Sequence, residues 1–144
     1  MTQLQGSADM QVLLVGEDSA LLEGLSQSFA ALGYAPRVAD SLHAARESAQ
    51  KQPPIIAVVS GDLASDSPAD VMAVPLASGG VIVLYHGTVD SRPVIAPSLQ
   101  RAVMADLTLP LERNRLMALA QHVTERIRVT GRAQRRTPPE QQAF

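Results

Sequence analysis

Ile55-Ile56-Ala57-Val58-Val59-Ser60-Gly61-Asp62 is the stretch that decides the fold. Its apolar residues run from Ile55 to Val59 without alternation, and Pro53 and Pro54 lead into them. A run of this kind suits a strand buried on both faces, at the centre of a parallel sheet. It stops at Ser60-Gly61-Asp62. In open α/β sheets the chemistry gathers where strands end at their carboxyl side, so the residue at position 60 weighs heavily on function. That residue is a serine and not an acid.

Outward from this strand the pattern repeats. Met10–Val15 is a short apolar run ending at Gly16-Glu17-Asp18-Ser19. Asp18 or Ser19 can cap a helix in which Leu22, Leu25, Phe29 and Leu32 recur at helical spacing, with Gly33 as its stop. Ala35–Ala39 reads as a shorter strand, placed near an edge by Pro36. Ser41 caps a helix from Leu42 to about Gln50, with Leu42, Ala45 and Ala49 inward. After the central strand, Gly61–Ser67 reads as loop. Pro68 to about Ser78 reads as a weak helix interrupted by Pro75.

Val81–His86 is a second continuous strand, and Gly87–Ser91 a loop. Arg92–Arg101 is expected to be a short or irregular helix because it holds Pro93 and Pro97. Val103–Leu107 is the last strand. Glu112 to about Arg128 is the clearest helix, with Leu116, Leu119, Val123 and Ile127 on one face and Gly131 ending or loosening it. Strands alternating with helices predict a doubly wound, five-stranded parallel sheet in the order 2-1-3-4-5, the flavodoxin-like arrangement.

Composition narrows the function classes. The 144 residues, 46% of them hydrophobic, suffice for one domain with a core. The absence of Cys excludes disulfides and thiolate metal sites, and His43, His86 and His122 show no ligand spacing. No apolar run approaches the ~20 residues of a membrane helix, and Met1–Asp9 lacks the features of a secretory signal. A cytoplasmic protein is the expectation. Residues 1–111 carry five basic and eleven acidic side chains, whereas residues 112–144 carry seven arginines and three glutamates. The basic end is either a solvated helix and tail or a segment that meets an acidic partner. No aromatic lies among its arginines to stack on bases.

The order of elements from Met10 to about Arg128 resembles the receiver domains of bacterial response regulators. The resemblance rests on Val12-Leu-Leu-Val-Gly-Glu-Asp, the central strand, the Val81–Tyr85 strand and Leu107-Thr-Leu-Pro110. In that family an aspartate ending the third strand accepts a phosphoryl group. An acidic pair after the first strand holds Mg²⁺, a Thr or Ser ends the fourth strand, and Lys-Pro follows the fifth. Carried over by position, the acidic pair falls on Gly16 and Glu17, the phospho-acceptor on Ser60, the small hydroxyl residue on Tyr85 and the lysine on Leu109. The aromatic that rotates on activation falls on Asp106. Glu17 and Pro110 alone keep the family chemistry, and the resemblance makes Leu109-Pro110 a candidate cis peptide. Magnesium wants several oxygen ligands, usually with one or two carboxylates, and Leu109 cannot neutralise a phosphoryl group. The resemblance therefore implies a pseudo-receiver with no catalytic residues, no metal and no cofactor.

Other readings of the same residues are open. Asp62 would be the acceptor if the strand ran two residues further, which preserves side-chain parity. Ser60, His86 and Glu17 would form a Ser-His-acid hydrolase, although no Gly-x-Ser-x-Gly elbow surrounds Ser60. His86 otherwise reads as a solvent-facing loop residue. There is no Gly-x-Gly-x-x-Gly and no P-loop.

Thr137-Pro-Pro-Glu-Gln-Gln-Ala-Phe144 resembles the linker into the ATPase domain of enhancer-binding transcription activators, among them the flagellar master regulators of the FleQ kind. That implies a frayed start at 1–9, a receiver-like domain at 10–128 and a linker at 129–144 before an effector domain. The expected function is phosphorylation-independent regulation by protein contact, with a second copy, the chain's own effector domain or a regulatory protein, and with no direct DNA or membrane binding. Arg113, Leu116, Met117 and Ile95 are the candidate contact residues. The alternative host is an RNA-binding antiterminator with a degenerate receiver.

Overall fold

The computed structural model describes residues 10–87 and 93–142. Five parallel strands, β1 (Gln11–Val15), β2 (Ala35–Ala39), β3 (Ile56–Ser60), β4 (Val81–His86) and β5 (Ala105–Thr108), form one sheet in the order β2-β1-β3-β4-β5. This is the doubly wound arrangement expected from the alternation of elements. The helices are α1 (Ser19–Ala31), α2 (Leu42–Lys51), α3 (Gly61–Asp66), α4 (Pro68–Met72), α5 (Pro97–Ala102) and α6 (Arg113–Gln142).

The apolar runs are unbroken because each central strand is covered on both faces. Val12, Leu14, Ile56, Val58, Val83 and Leu107 belong to one core cluster, completed by Leu22, Leu25 and Phe29 of α1 and Leu116 and Ala120 of α6. Leu13, Val15, Ala57, Val59, Ile82 and Leu84 belong to the other, against Ala45 and Ala49 of α2 and Leu99 of α5. Each large apolar side chain so buried contributes about 1.5–3 kcal/mol.

Local chemistry sets the helix ends. Asp18 caps α1 by accepting from Leu21 N–H at 3.1 Å, and Ser41 caps α2 by accepting from Ala44 N–H at 3.1 Å. α1 closes in a Schellman motif: Tyr34 N–H bonds Phe29 O, Gly33 N–H bonds Ala30 O, and Gly33 has φ +93°. The Phe29 and Tyr34 rings meet edge to face at 5.6 Å. Leu32, expected on the buried stripe, is the C-cap residue and is 46% exposed, because the helical spacing ends at Ala31.

Several expectations need correction. Gly61–Asp66 is a helix and not a loop, capped by Ser60, which accepts from Asp62 N–H at 3.3 Å. The helix at Pro68 ends at Met72, ahead of Pro75. Pro97 does not disturb α5; it stands in its first turn, where its missing N–H costs nothing. β5 is shifted to Ala105–Thr108. α6 runs through Gly131, because glycine weakens a helix by about 1 kcal/mol without removing a donor; its backbone also takes in Pro138 and Pro139. The expectations for 1–9, for the 88–91 loop and Arg92, and for 143–144 lie outside the described residues.

Candidate functional site

Parallel register brings the carboxyl ends of β1, β3 and β4 to one level. Val15 pairs with Val59, and Ser60 pairs with Tyr85, so Gly16, Ser60 and Tyr85 follow side by side. Above them opens a cleft of about 660 Å³, lined by Glu17, Asp18, Asp62, His86, Pro93, Leu109 and Pro110 among others. Most of the sequence-marked switch positions thus converge, as the topology requires of a sheet of this kind.

Their chemistry is not that of an open pocket. The Tyr85 hydroxyl stands over the Gly16 backbone: a Cβ built on Gly16 would lie 2.0 Å from it and 3.2 Å from Cζ. Tyr85 is 5% exposed, and its phenol and the Ser60 side chain come together over Gly16. Burial pushes its phenol up to about 12, with the Asp18, Asp62 and Glu17 carboxylates adding to the rise and the Ser60 side chain opposing it. Ser60 accepts from the Asp62 amide, so its hydroxyl serves as a helix cap. Asp62 lies in the first turn of α3, two residues past the strand end, and faces the cleft from a helix.

Leu109 is buried at 1% exposure, its N–H donates to His86 O at 2.9 Å, and the Leu109-Pro110 peptide is cis. The residues present do not fit a magnesium site. Tyr85 fills the space a second carboxylate on residue 16 would need, and among the described residues no group of three carboxylate or imidazole side chains converges on one point.

His86 is not a solvent-facing loop residue. It ends β4, and its side chain is only 10% exposed. Nδ1 lies 3.0 Å from Asp106 Oδ1 and Nε2 lies 2.9 Å from Thr108 Oγ1. The hydrolase reading of Ser60, His86 and Glu17 fails here, since both imidazole nitrogens are engaged by β5. Asp106 and Thr108 are i and i+2 on one face of β5, and His86 is in register with Thr108. Tyr85 belongs to the opposite core cluster, with Leu107. Sequence reasoning missed this cluster because His86 and its partners are 20 and 22 residues apart.

The contact residues divide. Arg113 is exposed and Met117 half-buried. Leu116 is 0% and Ile95 7% exposed, each packed into one of the two core clusters, so neither offers a contact surface. Exposed apolar side chains stand elsewhere. Val94 is 87% exposed beside Pro93, Leu111 77% beside Pro110, and Met104 39% ahead of β5. Among the described residues no helix is long and apolar enough to cross a membrane.

No protein-family model matches the chain, and no curated protein sequence matches it significantly. Solved structures do. A CheY-like response regulator receiver domain protein from Methanospirillum hungatei superposes with a TM-score of 0.67 at 17% identity, over 83% of this chain and 98% of that one. A CheY-like receiver domain from Methylobacillus flagellatus gives a TM-score of 0.65 at 15% identity, over 79% and 98%. NtrX from Brucella abortus gives 0.62 at 14% identity, over 86% of this chain and 28% of NtrX, so this chain spans little more than a quarter of that protein. With its strand order and these superpositions, the chain has the fold of the response-regulator receiver domains.

Proposed function

We propose that this chain is a regulatory domain of the pseudo-receiver kind, which acts through protein contacts without being phosphorylated. The observation that carries the reading is the Tyr85 hydroxyl standing over Gly16 beside Ser60. A serine whose hydroxyl caps a helix beneath a buried phenol is a poor phosphoryl acceptor. A buried leucine at 109 offers no charge to a phosphoryl group. At the floor of the cleft, the space over Gly16 is filled by the Tyr85 phenol.

The regulator to which it belongs is a cytoplasmic transcription regulator of the flagellar enhancer-binding type, with residues 10–128 as the domain and 129–144 leading towards an effector. NtrX, much longer than this chain, shows that a domain of this fold can be one part of a larger protein. Contacts run through the face of α5, β5 and α6, where Met104, Leu111, Arg113 and Met117 are available to a second copy or to the effector domain. This domain contacts neither DNA nor membrane directly.

The test adds Mg²⁺ and a beryllofluoride phosphoryl mimic, follows amide shifts, and runs sedimentation on the same samples. The expected result is no shift at Glu17, Ser60 or Tyr85 and an association state indifferent to the mimic. Saturable shifts around Ser60 or Asp62 that change association would overturn the reading. Salt-sensitive RNA binding by the chain alone would move it to the antiterminator class.

A further inference from the structure

We propose that His86 is a positioning residue that couples the wall of the cleft to the start of α6 through a relay of hydrogen bonds. The first link is the imidazole, which lines the cleft and reaches across to β5. With Asp106 ionised, Nδ1 carries the proton and donates to Oδ1. The neutral ring then leaves Nε2 as an acceptor for the Thr108 hydroxyl. Among the neutral forms one tautomer and one ring orientation satisfy both contacts, while an imidazolium keeps both by donating from Nε2 to Thr108 Oγ1, and at 10% side-chain exposure water competes weakly for them.

Thr108 is the second link, held from both sides. Its hydroxyl faces His86, while its N–H donates to Glu112 Oε1 at 2.7 Å. Its carbonyl accepts from Glu112 N–H, also at 2.7 Å. Glu112 is the last residue before α6, and its Oε2 accepts from Arg115 Nη1 in the first turn at 3.0 Å. The carboxylate therefore ties the end of β5 to the helix N-terminus in the manner of a capping residue. A change at the cleft that moves His86 has a bonded route to α6, the element that leaves the domain and carries Arg113 and Met117. This coupling stands whether or not the domain is insensitive to phosphorylation.

The test uses the full chain, labelled with ¹⁵N. In the wild type, at a pH where the ring is neutral, the His86 imidazole nitrogens should report a single Nδ1–H tautomer; a neutral ring that averages between tautomers, or that carries its proton on Nε2, overturns the proposal without any mutation. His86→Ala and Thr108→Val should each lower hydrogen-exchange protection in the first turns of α6, at Leu116 and Met117, by about tenfold. The double variant should lower it no further, because both break one relay. Tyr34→Phe removes a different tie to α6, the 2.9 Å bond to Thr124 Oγ1; combined with His86→Ala its effects should add. Losses confined to β4, or additive losses for His86 and Thr108, overturn the relay. None of these readouts involves a phosphoryl mimic or a partner, so their failure is distinct from failure of the pseudo-receiver reading.

Discussion

The Tyr85 hydroxyl stands where a side chain on Gly16 would begin, 2.0 Å from an ideal Cβ at that position. The two residues are therefore one structural choice: a tyrosine at 85 requires a glycine at 16. Gly16→Ala should destabilise the domain by about 1–3 kcal/mol, the usual cost of overpacking a filled core. In a Tyr85→Phe background the same substitution should cost less, because the nearest remaining contact is the ring carbon at 3.2 Å. Urea denaturation of the four proteins in this cycle measures the coupling. Equal costs in both backgrounds would mean that the phenol does not occupy this space.

The same phenol predicts an alkaline limit. Its folded-state value of about 12 lies above the ordinary 10.0, so the folded chain holds the phenolic proton more tightly than the unfolded one. The stability this provides is fully present below about pH 10 and is lost as pH rises towards 12. The wild type should thus lose stability across that window more steeply than Tyr85→Phe. Denaturation midpoints at stepped alkaline pH, with tyrosinate absorbance followed in parallel, decide the matter.

At the end of α1, Gly33 is held at φ +93° by the paired bonds of the Schellman motif. Gly33→Ala should lower stability by about 1–2 kcal/mol, since an L side chain is strained in this conformation. The expected signature is a shifted urea midpoint at an unchanged slope. No loss would show that the turn relaxes to another closure.

What was legible in the sequence follows from range. Burial on two faces leaves an unbroken apolar run, so the strands at 56–60 and 81–86 declare themselves, as do the caps Asp18 and Ser41 and the stop at Gly33. The strand order came from chain alternation and handedness alone. Gly61–Asp66 was obscured because Ser-Gly-Asp after a strand signals a loop as well as it signals a capped helix. Pro97 misled because a proline's meaning depends on whether it stands in the first turn or the interior. The site divides the same way. Positions 16, 60, 85 and 109 were marked by the resemblance to receiver domains, but that Tyr85 covers Gly16, and that His86 turns to Asp106 and Thr108, depends on contacts between distant strands.

The packing also dictates an order in which a phosphoryl site can be rebuilt. An acid at residue 16 cannot be accommodated while the Tyr85 hydroxyl lies over it, so Gly16→Asp made alone should unfold or destabilise the domain. Tyr85→Thr must come first, to empty the space over Gly16. Ser60→Asp should then be tolerated, because aspartate caps a helix as well as serine does. With Gly16→Asp, Ser60→Asp and Tyr85→Thr together, two new carboxylates would join Glu17, Asp18 and Asp62 around one cleft and repel them and one another. That variant should be measurably more stable in Mg²⁺ than in its absence, and Leu109→Lys should add a response to the beryllofluoride mimic. The variant lacking Tyr85→Thr should show neither effect. Thermal melts with and without Mg²⁺ separate the two; a Mg²⁺ response that survives with Tyr85 in place would show that the phenol is not what closes the site.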